Sequence, residues 1–103
     1  MSPVILLNPF EVPPGMEDAT LAYWEEAAQI LRRQPGYLST ALHQSIDGSA
    51  RFALVNRAEW ESPEAFQAAI ASPAFRALTG RNQGRFHYFP GLYRVIRTDA
   101  DLG

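Results

Sequence analysis

Two side chains that could do chemistry, an amide and an indole, lie four residues apart at Asn56 and Trp60. The surrounding residues favour a strand, and side chains two apart along a strand share a face. The other members of that face, Phe52, Leu54 and Ala58, are apolar. Burying an amide among such neighbours costs free energy unless it finds hydrogen-bond partners. Asn56 therefore predicts either a structural hydrogen bond, for example beside a β-bulge, or a site for an oxygen-bearing ligand.

Further candidates are spread along the chain. Asn8 offers a second amide, His43 is of a residue type that commonly serves as a general base, and Arg76 could favour an anionic substrate. We expect five side chains to form the apolar walls of a substrate pocket: Tyr23, Trp24, Phe66, Phe75 and Leu78. The ordinary alternatives are core packing for the aromatic residues, including Trp60, and solvent exposure for the histidine and the arginine.

The composition limits the classes of protein that the chain can be. Its 103 residues predict one domain, 1–103, and its 47% hydrophobic and 19% charged residues are typical of a globular protein. The net charge of −2, without any basic block, argues against a nucleic-acid partner. The absence of cysteine excludes disulfides, thiolate catalysis and cysteine-bound metals.

Other composition features bear on location and assembly. The apolar run at residues 4–7 is too short for a signal-peptide core or a membrane span, so we expect no membrane partner and a cytoplasmic location. No metal-ligand spacing is visible, and we expect neither a metal site nor another cofactor. The aromatic fraction of 12% is high for this size, which favours an oligomer or a ligand pocket.

The order of predicted elements is β-α-β-β-α-β. Strands are expected at 4–10, 37–46, 51–60 and 86–97, and the last strand is expected to bend at Pro90-Gly91. Helices are expected at 16–33, from Ser62-Pro63, and from Ser72-Pro73. A polar loop is expected at 80–85. Serine before proline is a helix N-terminal signal, and Asp47-Gly48 is a turn signal between the second and third strands.

This order favours a ferredoxin-like α+β fold, in which an antiparallel four-stranded sheet carries both helical regions on one face. The other face of the sheet then lies bare. A second copy related by a two-fold axis is the simplest cover, so we expect a homodimer whose sheets pack face to face.

Several of these segments resemble the antibiotic biosynthesis monooxygenase (ABM) superfamily. The similar segments are Asn56-x-x-x-Trp60-Glu61-Ser62 with Glu64-Ala65-Phe66, Asn8 late in the first strand, and Gln34-Pro35-Gly36-Tyr37 before the second. The resemblance covers residues 4–98, and it implies a dimeric α+β barrel.

The resemblance also implies functions. Antibiotic-pathway members oxidise anthrone-type phenols to quinones with O2 and without metal or flavin, and their strand-three Asn and Trp correspond to Asn56 and Trp60. A helix-two Tyr of those enzymes falls at Phe66, which lacks the hydroxyl, and an Arg can be matched to Arg76 by allowing a gap. This implies a small aromatic substrate and O2 as partners.

Two alternatives stay open at this point. Haem-degrading members use an Asn matched by Asn8 and a Trp matched by Trp60, but their iron-ligating His falls at Thr79, which counts against haem degradation here. A dimeric module that binds a small ligand without turnover is the other alternative, because fold alone does not fix function.

Overall fold

A computed structural model of the protein describes residues 3–82 and 84–103. Its strands and helices follow one another along the chain as β1 (Val4–Glu11), α1 (Glu17–Leu31), β2 (Tyr37–Gln44), β3 (Leu54–Trp60), α2 (Pro63–Ile70), α3 (Pro73–Asn82), β4 (His87–Tyr88) and β5 (Gly91–Tyr93), before a short 3₁₀ turn (Asp99–Leu102).

The sheet has the strand order β2-β3-β1-β4, and β5 also pairs with β1. Every pairing is antiparallel. The split of α1 and α2–α3 between these strands gives the ferredoxin-like topology, which confirms the predicted α+β fold class. The central pair, β1 and β3, is in a register that sets Asn8 directly opposite Asn56.

Strand alternation sends one set of side chains from the central strands toward the helices. Two apolar clusters form on that face: Val4, Leu6, Ala58, Trp60, Phe66 and Ala69 at one end, and Phe10, Leu54 and Phe86 at the other. Asn8 and Asn56 lie between the clusters, because each is flanked along its own strand by members of both. The sheet therefore holds an opposed pair of amides in an otherwise apolar face.

The serine-proline signals begin both helices of the second half. The Ser62 side chain accepts a hydrogen bond from the Ala65 N–H at 3.1 Å, and Pro63 is the first residue of α2. Because β3 ends only three residues before α2 begins, this cap fixes the direction of the helix relative to the strand. The result is the edge-on packing of Phe66 against Trp60, with ring centroids 5.7 Å apart.

The hairpin and the last strand differ from their predicted bounds. β2 ends at Gln44 and β3 begins at Leu54, so the connecting segment is longer than predicted. Its turn is closed locally by Asp47, whose side chain accepts the Ser49 N–H at 2.9 Å. The predicted strand 86–97 is two short strands instead. The break at Pro90 was predicted, since proline has no N–H for the ladder, but residues 94–97 do not extend the pairing.

The predicted polar loop at 80–85 is wrong in its first part. α3 continues to Asn82, with Gly80 inside the helix. The Asn82 side-chain amide then donates to the Phe86 carbonyl at 3.3 Å, which closes the turn toward β4. Gln83, also in the predicted loop, lies outside the described residues.

Gly36 has a positive φ of 87° and faces α2. Its carbonyl accepts the Glu61 N–H at 2.8 Å, which ties the turn after α1 to the end of β3. A Cβ added to Gly36 would collide with the Cβ of Ala65, whereas Gly15, with φ of 83°, has nothing within 4 Å of an added Cβ. The two glycines therefore share one backbone conformation and differ in their surroundings.

We predict that G36A lowers the free energy of unfolding more than G15A does. Both substitutions carry the cost of a left-handed alanine, about 1 kcal/mol, and only G36A adds an overpacking cost of about 1–3 kcal/mol. Urea denaturation of the two variants measures the difference. Adding A65G to G36A should recover the additional loss in free energy of unfolding, because it removes the colliding Cβ. Equal losses in free energy of unfolding for G36A and G15A would contradict the close approach of Gly36 to Ala65.

Candidate active site

A cavity of about 710 Å³ lies between the helices and the inner face of the sheet. This volume is within the range of about 300–1,000 Å³ that small-molecule sites occupy. Most of its lining is apolar, and its aromatic walls include Trp24, Phe66 and Phe75. Polar atoms enter the cavity at a few separate places.

The amide of Asn56 is held at its oxygen from two sides. Oδ1 accepts the indole N–H of Trp24 at 3.0 Å and the hydroxyl of Thr40 at 2.9 Å. Nδ2 makes no hydrogen bond to the part of the chain that the structure describes, and it is not sealed from solvent. Asn56 itself is 9% exposed and lines the cavity, so the free amide hydrogens are directed at the cavity.

Asn8 and Trp60 line the same cavity, and each has one polar atom that is covered. Asn8 lies across the ladder from Asn56, and its Oδ1 is buried without a partner among the described residues. Trp60 is fully buried between Tyr37 and Phe66, with ring centroids 5.6 and 5.7 Å away, and its Nε1 is likewise buried and unpaired there. In this arrangement Trp60 forms a wall of the cavity. The side-chain nitrogens of Asn8 and Asn56 are both unpaired among the described residues and not sealed, but only Asn56 has its oxygen held by hydrogen bonds.

Two tyrosines form a second polar region. The Tyr23 hydroxyl lies 3.5 Å from the Tyr88 hydroxyl, and the rings stack with centroids 6.1 Å apart. Burial, and then the hydrogen bond and charge of Tyr88, raise the pKa of Tyr23 above its ordinary value. Tyr23 therefore keeps its proton and serves as a donor, not as a base. Sequence reasoning missed Tyr88, which lies in a strand of only two residues.

The helical side of the cavity carries Gln67, Arg76 and Thr79. Arg76 is the only charged residue among the described lining residues, and it is also exposed, which places it where the cavity opens to solvent. Thr79 donates its hydroxyl to the Arg76 carbonyl at 3.1 Å. Thr79 is the residue at which the resemblance places the histidine of haem-degrading members.

Two of the predicted site residues lie elsewhere. Leu78 is buried on the other side of α3, in a recess of about 190 Å³ that it shares with Asn82 and Phe86. His43 is exposed on the outer face of the sheet, with Nδ1 3.3 Å from the Val55 carbonyl oxygen. Neither side chain lines the cavity, so His43 is not placed to act as its general base.

A β-bulge explains both the position of His43 and the omission of Thr40. With strict alternation, Tyr37 and His43 would share a face, and Tyr37 packs inward on Trp60. The register of β2 shifts between Tyr37 and Ser39, so that the parity reverses beyond that point. Thr40 therefore points inward to Asn56, and His43 points outward.

No cluster of three or more His, Cys, Asp or Glu side chains suited to a metal ion occurs in the ranges 3–82 and 84–103. Among the helices of these ranges, none is both long and apolar enough to cross a membrane.

The sequence matches a known protein family over most of its length. Residues 3–80 match the family model described as antibiotic biosynthesis monooxygenase. The chain belongs to this family. A haem oxygenase of the mycobilin-producing type from Mycobacterium tuberculosis is 35% identical over 78 residues, which are 76% of this chain and 72% of that relative.

Solved structures of ABM type share the fold. A provisionally assigned monooxygenase from Shewanella loihica PV-4 is 42% identical, with a TM-score of 0.80 over 94% of this chain and 97% of that one. SnoaB, a cofactor-independent oxygenase from Streptomyces nogalater, also has a TM-score of 0.80, over 95% of this chain and 97% of its own. SnoaB is 24% identical, so this likeness concerns the fold alone.

The raised pKa of Tyr23 predicts how stability changes in alkali. An unfolded tyrosine ionises near pH 10, whereas folded Tyr23 keeps its proton to higher pH, so the unfolded state gains stability as the pH rises through about 10. We expect Y23F to lose less free energy of unfolding than the wild type between about pH 9 and about pH 11. Y93F, which removes an exposed hydroxyl, should follow the wild type in urea titrations; an identical pH slope for Y23F and Y93F would contradict the assignment.

Proposed function

We propose that this ABM-family protein is a cofactor-independent monooxygenase that oxidises an aromatic phenol, quinol or anthrone to a quinone with O2. The observation that carries the proposal is the Asn56 amide, with its oxygen occupied by Trp24 and Thr40 and its hydrogens free in an apolar cavity. An amide donor in such surroundings is suited to an oxyanion, because fixed donors in a cavity that excludes water stabilise developing charge strongly.

The proposed reaction takes its electrons from the substrate. An anthrone loses a proton to solvent to give an enolate, which passes one electron to O2. The radical pair combines to a peroxide anion, which takes up a proton from solvent, and the resulting hydroperoxide loses water to leave the quinone carbonyl. The enolate oxygen carries the negative charge at the first step. Asn56 Nδ2 is the group that would donate to this oxygen.

The cavity also bears on how the anion arises. Its described lining includes neither a histidine nor a carboxylate, and Tyr23 holds its proton. This favours a substrate acidic enough to ionise in solution and to enter as the anion. Arg76, the cation at the opening, would favour such a substrate over its neutral form.

Haem degradation is the second candidate, since the relative from Mycobacterium tuberculosis is named for it. The residues of this cavity do not fit haem ligation well. The described lining contains no histidine, cysteine or methionine, Thr79 stands at the histidine position of haem-degrading members, and burial disfavours the phenolate of Tyr23. A shift of the haem Soret band on titration with the protein would revive this candidate, and binding without any turnover would support the non-catalytic module.

We also propose that the protein is a homodimer that covers the outer face of its sheet. This face carries Leu7 and Tyr93, which are 36% and 54% exposed, beside half-buried Ile5 and Val55. Apolar side chains next to one another on a sheet face favour a partner surface. The cytoplasmic location expected from the sequence stays a prediction.

The oxygenase proposal predicts a loss of oxygen uptake in N56D. The substitution keeps the shape and leaves an oxygen for Trp24 and Thr40, but it replaces the donor with a second acceptor. We expect uptake with an anthrone to fall about 100-fold or more, as for other oxyanion donors, and N56A to lose a similar amount. An oxygen electrode measures the rates, after subtraction of autoxidation.

The matched control is Q44A, which removes an exposed amide at the end of β2 and should leave the rate unchanged. Uptake by N56D at the wild-type rate would remove Asn56 from the chemistry. Absence of uptake by the wild type across a panel of anthrones and quinols would favour the ligand-binding module.

The dimer proposal predicts different outcomes for two leucines of equal exposure. Leu7 on the outer sheet face and Leu21 on α1 are each 36% exposed. L7E should convert the dimer to a monomer in sedimentation velocity, because it would bury a carboxylate in the interface, whereas L21E should leave the mass unchanged. A monomeric wild type, or a dimeric L7E, would contradict the proposed interface.

A further inference from the structure

We infer that Trp24 and Thr40 are positioning residues that fix the orientation of the Asn56 amide and so give the cavity a hydrogen-bond donor in place of an acceptor. The inference rests on the proposed function, in which Asn56 donates to an anionic oxygen. An asparagine presents opposite chemistry on its two sides, since its NH2 group binds an oxyanion and its oxygen repels one. The site therefore depends on which side faces the ligand.

Trp24 distinguishes the two orientations. Its indole nitrogen is a donor only, so the Asn56 atom that lies 3.0 Å from it has to be the oxygen. A rotated amide would place its own N–H groups against this N–H, which loses the hydrogen bond and sets two donors face to face. Trp24 reaches Asn56 from α1 across the cavity, and its function is thus more specific than that of an apolar wall.

Thr40 strengthens the same orientation from the neighbouring strand. Its hydroxyl lies 2.9 Å from Asn56 Oδ1 and 3.4 Å from the Arg57 carbonyl, so the Oδ1 contact is the shorter of the two. A hydroxyl can donate or accept, and alone it would not select an orientation. Once Trp24 has set the oxygen, Thr40 donates to it as well, and two donors on the carbonyl polarise the amide and strengthen its N–H groups as donors.

The experiment measures the pKa of a bound phenol, which does not require turnover. The probe is a nitro-substituted naphthol with a coloured anion, and its methyl ether serves as the neutral ligand. We expect T40V, which keeps the shape of the side chain, to raise the pKa of the bound probe by about half a unit, and T40S to restore it. W24F should shift the pKa in the same direction, while affinity for the methyl ether stays within about twofold in T40V.

A double-mutant cycle separates positioning from packing. In an N56A background there is no amide to orient, so T40V and W24F should no longer change the pKa of the bound probe. The same shift in the presence and absence of Asn56 would overturn the inference. So would an N56A variant whose bound probe has the wild-type pKa, because Nδ2 would then not face the ligand.

If the probe does not bind, a measurement on the protein without ligand can still test whether Trp24 is hydrogen-bonded to Asn56. The indole N–H resonance of Trp24, told apart from that of Trp60 with W60F, reports the hydrogen bond directly. We expect N56A to shift this resonance and to speed its exchange with water, and N56D to retain the bond through its carboxylate oxygen. A resonance unchanged in N56A would overturn the inference.

These readouts keep the two proposals distinct. Retained pKa shifts and a retained indole signal, without any oxygen uptake, would mean that the amide is oriented in a protein that does not oxidise its ligand. Oxygen uptake that depends on Asn56 but not on Trp24 or Thr40 would mean the reverse, namely an oxygenase whose amide needs no positioning residue.

Discussion

The structure depends on burying two opposed amides, Asn8 and Asn56, between two apolar clusters while hydrogen-bonding at least one of them. The register of β1 and β3 sets Asn8 and Asn56 opposite each other on the helix-facing side of the sheet. A buried polar group without partners costs about 1–3 kcal/mol, so this register is stable only if other elements bring donors. α1 brings the Trp24 indole and β2 brings the Thr40 hydroxyl, both to the same oxygen. The gap that remains between helices and sheet at this level is the cavity.

The electrostatic character of the cavity follows from the same arrangement. With Oδ1 occupied, what Asn56 presents is a donor, and Tyr23 also keeps its proton because it is buried beside Tyr88. The single charged side chain among the described lining residues is Arg76, which is cationic. Donors and a cation around apolar walls favour a ligand with a negatively charged oxygen over a cationic one.

Sequence patterns predicted the fold because its signals are local. Alternation along 54–60, the serine caps and the Pro-Gly breaks each depend on a few neighbouring residues, and they place the elements to within several positions. The site was predicted less completely, because its hydrogen bonds join residues far apart: Trp24 and Asn56 are separated by 32 positions. One bulge near Tyr37 reversed the parity of β2, so Thr40 was missed and His43 lies outside the cavity. Leu78 lies one helical turn from Phe75, but its side chain lines the neighbouring recess and not the cavity, which periodicity along α3 does not distinguish.

Membership of the family does not by itself determine the chemistry of the site in this protein. Identity of 35% to a haem oxygenase is an average over 78 residues and does not describe any single site residue. The resemblance to haem-degrading members places their iron ligand on α3 at Thr79, and the Thr79 hydroxyl is bonded to the helix itself. The amide on β3 is positioned independently of that helix, by α1 and β2. A substitution on α3 therefore leaves the position of the Asn56 amide unchanged, so overall similarity carries less weight for function here than the contacts of Asn56 do.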